Sequence, residues 1–158
     1  MIETGILIGV LLVWICYSGF EGFREAHYWF YRTAYPDFEK IKHMDQHKEF
    51  MFQRGIVLGL ISVIVSMTTQ SWLIVGLIFI ANALIFSFHH NGMMYLVRKE
   101  LSEEITPEQP NPYPKGWFSQ SSTSQAKMTF LMGPTSRTIQ MIIGICMYIY
   151  VIFTYLLV

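Results

Sequence analysis

Long apolar runs alternate with short charged stretches along this chain, and the runs set the architecture. Gly5 to Phe20, extendable to Phe23, Trp72 to Phe88 and Ile139 to Val158 each approach or reach the ~20 residues that cross a bilayer as a helix. A shorter run, Gly55 to Met67, attains that length when it is carried back to Phe50 across Gln53 and Arg54 and forward to Thr69. The pattern predicts an all-α, polytopic integral membrane protein, a four-helix transmembrane bundle forming one membrane domain over 1–158. Its spans are expected at about 5–25, 50–69, 72–92 and 137–158, with polar segments at about 26–49 and 93–136 between them.

Breaker residues place the ends of these helices. Pro36 disfavours a helical Tyr35, so the first helix should stop near Arg32, some two turns beyond its apolar part. Thr68-Thr69-Gln70-Ser71 is short enough to make the second and third helices antiparallel neighbours. The third should run past His90 to Leu101 and stop at Thr106-Pro107. Pro107, Pro110, Pro112 and Pro114 then favour an extended, semi-rigid connector. A short helix is expected in "FSQSSTSQAKMTFLM", and Pro134 suits the first turn of the last span.

Composition agrees, and charge orients the bundle. The 158 residues are 53% hydrophobic and 14% charged, against roughly 25% charged in soluble domains. All eleven Lys and Arg fall in two groups, Arg24 to Arg54 and Arg98 to Arg137, and none lies at either terminus or in the turn at Gln70. By the positive-inside rule both groups are cytoplasmic and both termini lie on the non-cytoplasmic side. The expected location is a multi-pass position in a cytoplasmic-type inner or plasma membrane. Acidic residues match the basic ones at eleven each, which argues against a nucleic-acid surface. The first run lacks a basic leader region and reads as a retained anchor. Cys16 and Cys146 sit mid-span without Cys-x-x-Cys spacing, so a disulfide framework is not expected.

Candidate chemistry collects at the charged end. Trp14, Tyr17, Glu21, Glu25, Tyr28 and Arg32 form one stripe on the first helix; Asn82, Phe86, His89 and Met93 share a face of the third. The sequence therefore predicts a cytoplasm-facing polar cluster of Glu21, Arg24, Glu25, Arg54 and His89. Each buried charge costs about 2.5–3.5 kcal/mol, so the members should pair: Glu21 or Glu25 with Arg54, and His89 with a carboxylate or Tyr28. His43-x-x-x-His47 puts two imidazoles on one helical face, and with His89 and Glu25 could complete a zinc or iron site. Gly55-x-x-x-Gly59, continued by Ser62 and Ser66, should permit close packing against another helix of the chain.

Two resemblances bear on function. "HMDQH" and "FHHN" are similar to the histidine boxes of membrane fatty-acid hydroxylases and desaturases, whose His-x-x-His-His spacing is absent here. In length, span number and outward termini the chain is similar to the membrane-associated eicosanoid and glutathione metabolism family. That resemblance implies a trimer holding glutathione between subunits, with Arg24, Arg54 and Arg137 in the binding role.

Three functions follow as expectations. The cluster binds a metal and acts on a lipid or amphiphile; or it only locks the helices of a structural or accessory subunit; or the chain is a glutathione- or lipid-type membrane transferase. The expected partners are membrane lipids, and further copies or a larger membrane complex. A channel ranks last, because the outer half offers little polar lining beyond Asn82 and Ser62.

Overall fold

The computed structural model describes residues 2–34, 46–119 and 133–156. It is all-helical: α1 (Ile2–Ala34), α2 (Gln46–Thr69), α3 (Trp72–Ile105) and α4 (Pro134–Val151), the last continued by a π-type turn, Ile152–Leu156. Four segments are long and apolar enough to span a membrane: Glu3–Tyr28, Glu49–Thr69, Trp72–Ile105 and Pro134–Thr154. At 1.5 Å per residue α1 and α3 are each about 50 Å long, against a hydrocarbon core of about 30 Å. Both therefore extend well beyond the apolar zone at the end that carries the basic residues.

Local chemistry fixes the helix ends. Gln70 adopts a positive φ of 50°, its N–H donates to the Ser66 carbonyl at 2.9 Å, and Ser71 caps α3 by accepting from the Ile74 amide. Two residues thus reverse the chain. Thr106 closes α3 by donating twice, from N–H and hydroxyl, to the Ser102 carbonyl, and Pro107 forbids continuation. Pro134 occupies the first turn of α4.

α3 is the hub, packed by α1 on one side, α4 on another and α2 on a third. The core joins Leu7, Val10 and Trp14 of α1, Ile61 and Val65 of α2, Ile74, Ile78, Ala81 and Ile85 of α3, and Tyr148 and Val151 of α4. Two glycines let backbones meet. A Cβ at Gly144 would lie 2.8 Å from the Ala81 carbonyl oxygen, and one at Gly22 would overlap the His90 carbonyl. Gly55 and Gly59 do not serve this purpose: both are exposed and a Cβ on either meets nothing within 4 Å. The small-residue pattern on α2 faces outward because the buried face of α2 carries Ile61 and Val65 instead. Cys16 and Cys146 are free and also face outward. Large apolar side chains such as Leu12, Phe20, Met51, Phe52, Leu60 and Trp72 cover the exterior, a surface suited to a bilayer.

The proline-containing connector folds back on α3 rather than running free. Asn111 donates to the Lys99 carbonyl at 3.2 Å and to Glu103 at 3.1 Å, and accepts from the Tyr113 amide at 2.8 Å. Tyr113 stacks on Tyr95 with centroids 5.4 Å apart. A short 3-10 turn, Gly116–Phe118, starts at a positive-φ glycine and lays the Trp117 ring against Gly92, where a Cβ would collide with it. The helix expected in "FSQSSTSQAKMTFLM" falls largely on 120–132, outside the described residues.

Candidate functional site

Three helices converge at the charged end of the bundle. Tyr17, Glu21 and Glu25 follow one another at four-residue spacing on α1, Phe86 and His90 do the same on α3, and Arg54 enters from α2. Glu21 is sealed, its side chain 1% exposed, and Arg54 meets its Oε1 through Nε at 2.6 Å and Nη2 at 2.5 Å. The Arg54 guanidinium lies over the Phe86 ring, 4.4 Å from its centroid. Phe86 in turn stacks on the His90 imidazole at 4.8 Å.

His90 completes the arrangement. Its Nε2 is 3.0 Å from Glu25 Oε2 and 4.0 Å from Glu21 Oε1, while Nδ1 is 3.0 Å from Asn91 Oδ1. Both ring nitrogens face oxygen. The two carboxylates thus face a guanidinium and an imidazole, contacts that limit the cost of placing them in a low-dielectric setting.

Hydrogen bonding within the cluster is incomplete. The Tyr17 hydroxyl faces the Glu21 carboxylate and His90 Nε2 faces Glu25, but by strict geometry the Tyr17 hydroxyl, Glu21 Oε2 and His90 Nε2 have no aligned hydrogen bond among the described residues. Buried polar groups are paired in the great majority of cases, and here they turn towards one another rather than away.

The expected members fall into two groups. Glu21, Glu25 and Arg54 come together, and Arg54 takes Glu21. Arg24 stands at the rim, 41% exposed, bonded to Gln53 at 3.1 Å and 3.8 Å from Glu49. His89 is not a member, and His90 takes its place. His89 Nδ1 lies 3.2 Å from the Ile85 carbonyl, and its ring sits edge-on to Trp117 on the other side of the α1–α3 seam. The reason is angular. Relative to Asn82, a helix places Phe86 at about +40°, His90 at about +80° and His89 at about −20°. The cluster lies on the positive side, because α1 presses Gly22 against the His90 carbonyl and leaves the two histidines on opposite flanks. Phe86 was legible as part of this face; the choice between adjacent histidines was not.

Among the described residues, no three His, Cys, Asp or Glu side chains converge as metal ligands. His43 lies outside the described residues, as does the His47 side chain. Glu25 and His89, the other two expected ligands, sit on opposite flanks of the seam. The three arginines of the transferase resemblance also separate. Arg137 is buried near Trp117, Ser119 and Tyr95 and shares no described contact with Arg24 or Arg54.

A second polar group lies deeper and joins three helices. Trp14 Nε1 donates to the Asn82 carbonyl at 2.7 Å, Tyr148 donates to Asn82 Oδ1 at 2.8 Å, and Ser18 donates to the Trp14 carbonyl at 2.6 Å. It contains no carboxylate, imidazole or basic side chain and reads as helix packing. Its sequence signal was an amide amid "WLIVGLIFIANALIF", whose partner on α4 had none.

No family model matches this chain, and neither the curated proteins nor the solved structures contain a match to it.

Proposed function

We propose that this is a multi-pass membrane protein whose Glu25–His90 pair, held by Glu21 and Arg54, is an acid–base site. It acts on the polar head of an amphiphile at the cytoplasmic side of the bilayer. The observation that carries the reading is the buried His90 imidazole, its Nε2 3.0 Å from Glu25 Oε2 and 4.0 Å from Glu21 Oε1, beside the Arg54–Glu21 pair. Glu21 is sealed and paired with Arg54, so its part is to hold Arg54 beside the imidazole. Glu25 is 22% exposed, so the His90–Glu25 pair is the part that can trade a proton with an incoming group. The imidazole is the donor and Glu25 holds its orientation. This reading uses no metal.

A structural reading has its own support. The Arg54–Glu21 pair crosses from α2 to α1 and joins helices that otherwise touch little. A lock would need that pair alone, and the Glu25–His90 pair would be surplus to it.

The two are separated by comparing the lipid extracts of membranes that overproduce the wild-type protein or His90→Gln, with detergent melting of both proteins as the control. The acid–base reading expects an amphiphile whose amount changes with the wild type and not with the stable variant. Identical extracts from two equally stable, equally abundant proteins would overturn it in favour of the lock.

A further inference from the structure

Depth in the bundle can be counted along α3 from Trp72, which opens that helix and is 81% exposed. No Lys, Arg, Asp or Glu occurs from Trp72 to Val97. Gly92 lies about 30 Å from Trp72 along the helix axis, the thickness of a hydrocarbon core. At that level the chain returns to α3. The Trp117 ring packs on Gly92, 5.6 Å from the Phe88 ring and 6.4 Å from that of His89. Gly116 lies beside the side chains of Leu96 and Lys99, about 6–10 Å farther from Trp72. From Gly116 to the Trp117 ring the turn thus descends through the depth of a headgroup layer to the hydrocarbon boundary.

The turn is short but held firmly from both neighbouring helices. Tyr113 stacks on Tyr95 of α3, and Arg137 of α4 donates Nη2 to the carbonyls of Ser119 at 3.1 Å and Trp117 at 3.4 Å. The side chains it presents are nevertheless left outside: Phe118 is 54% exposed, and Lys115 is exposed. Phe20 and Phe23 of α1, also exposed, line one groove with the Trp117 ring and widen the aromatic patch. Ordering such a turn costs conformational entropy, and burial of Phe118 within the chain does not offset it. Aromatic rings one hydrocarbon thickness from an exposed tryptophan, with a lysine beside them, match the residues that gather at the two boundaries of a bilayer.

We propose that the turn Lys115–Phe118 is a membrane-docking surface, with Trp117 and Phe118 seated at the headgroup–acyl boundary of the leaflet opposite Trp72 and Lys115 among the headgroups. The lipid surface is its occupant, and the polar connector is thereby pinned to the bilayer rather than standing in water. The surface rests neither on the acid–base reading nor on which side of the membrane is cytoplasmic. It does bear on the Glu25–His90 pair. His90 lies about 3 Å from Gly92 along α3, so the pair sits at the same boundary, within reach of lipid headgroups.

Spin labels measure the depth directly. The full-length protein with Cys16→Ser and Cys146→Ser receives one nitroxide at Phe118→Cys or Lys115→Cys and is reconstituted into phosphatidylcholine vesicles. Exposed positions serve as references, Leu60→Cys near the middle of α2 and Glu104→Cys at the far end of α3. Collision with oxygen, which concentrates in the acyl region, is compared with collision with a soluble nickel chelate, which stays in water. The oxygen-to-nickel ratio should fall in the order Leu60, Phe118, Lys115, Glu104, and the Phe118 label should exceed the Glu104 label several-fold. A Phe118 ratio equal to that of Glu104 places the turn in water and overturns the docking surface. A Phe118 label shut off from both reagents shows that protein covers it, a second copy or another part of the chain, and overturns it as well. Should Phe118→Cys fail to fold, the Lys115 label decides: a ratio above that of Glu104 supports docking, and an equal ratio overturns it.

Discussion

Gly22 of α1 lies directly against the carbonyl of His90 on α3, and this backbone contact decides which of two adjacent histidines enters the charged cluster. A side chain at position 22 would push the helices apart at the level of Glu21, Glu25 and His90. The packing and the site therefore depend on the same missing Cβ.

Gly22→Ala should accordingly lower stability by about 1–3 kcal/mol, the cost of overpacking a tight contact. Gly9→Ala, where a Cβ meets nothing within 4 Å, should stay within about 0.5 kcal/mol of the wild type. Melting of both variants in the same detergent checks the contrast. Equal effects would show that the α1–α3 approach is looser than described.

The Glu21–Arg54 pair should respond asymmetrically. Arg54→Gln leaves Glu21, 1% exposed, with only the more distant His90 at 4.0 Å, and should cost on the order of 3 kcal/mol. Glu21→Gln leaves Arg54, which is 31% exposed and can turn its head to water, so the loss should be smaller. The double variant should be less damaging than the sum of the two. Equilibrium unfolding of the three proteins measures all of these terms.

Tyr148→Phe removes one interhelical hydrogen bond to Asn82. Such bonds in membrane proteins are worth about 0.6 kcal/mol on average and about 1.7 at most, so a small loss of stability is expected. Lipid extracts should be unaltered, because the Asn82 group shares no member with the Glu25–His90 pair. A changed extract from a stable Tyr148→Phe protein would tie the two groups together.

Orientation can be read with single cysteines in a background lacking Cys16 and Cys146. By the positive-inside rule, Gln70→Cys should react with an impermeant maleimide only from the non-cytoplasmic face, and Glu103→Cys only from the cytoplasmic face. The reverse pattern would invert the bundle and place the Glu25–His90 pair on the outer side.

Much of this architecture was legible in the chain. Four apolar runs separated by Pro36, Gln70-Ser71 and Thr106-Pro107 give four helices of spanning length, because apolar length and helix breakers act locally. The pairing of Glu21 with Arg54 was one of two options the depth of the charges allowed, since low dielectric drives opposite charges at one depth together. What the sequence could not decide were contacts set by rotation about a helix axis. His89 and His90 differ by about 100°, and Gly55-x-x-x-Gly59 resembles a packing face as much as Gly22 does. Only the tertiary structure, by pressing Gly22 and Gly144 onto α3 and turning Gly55 outward, fixed those rotations. It alone brought Tyr148 to Asn82, and Arg137 to the carbonyls of Trp117 and Ser119, because each contact joins residues on different elements whose mutual placement no local pattern records.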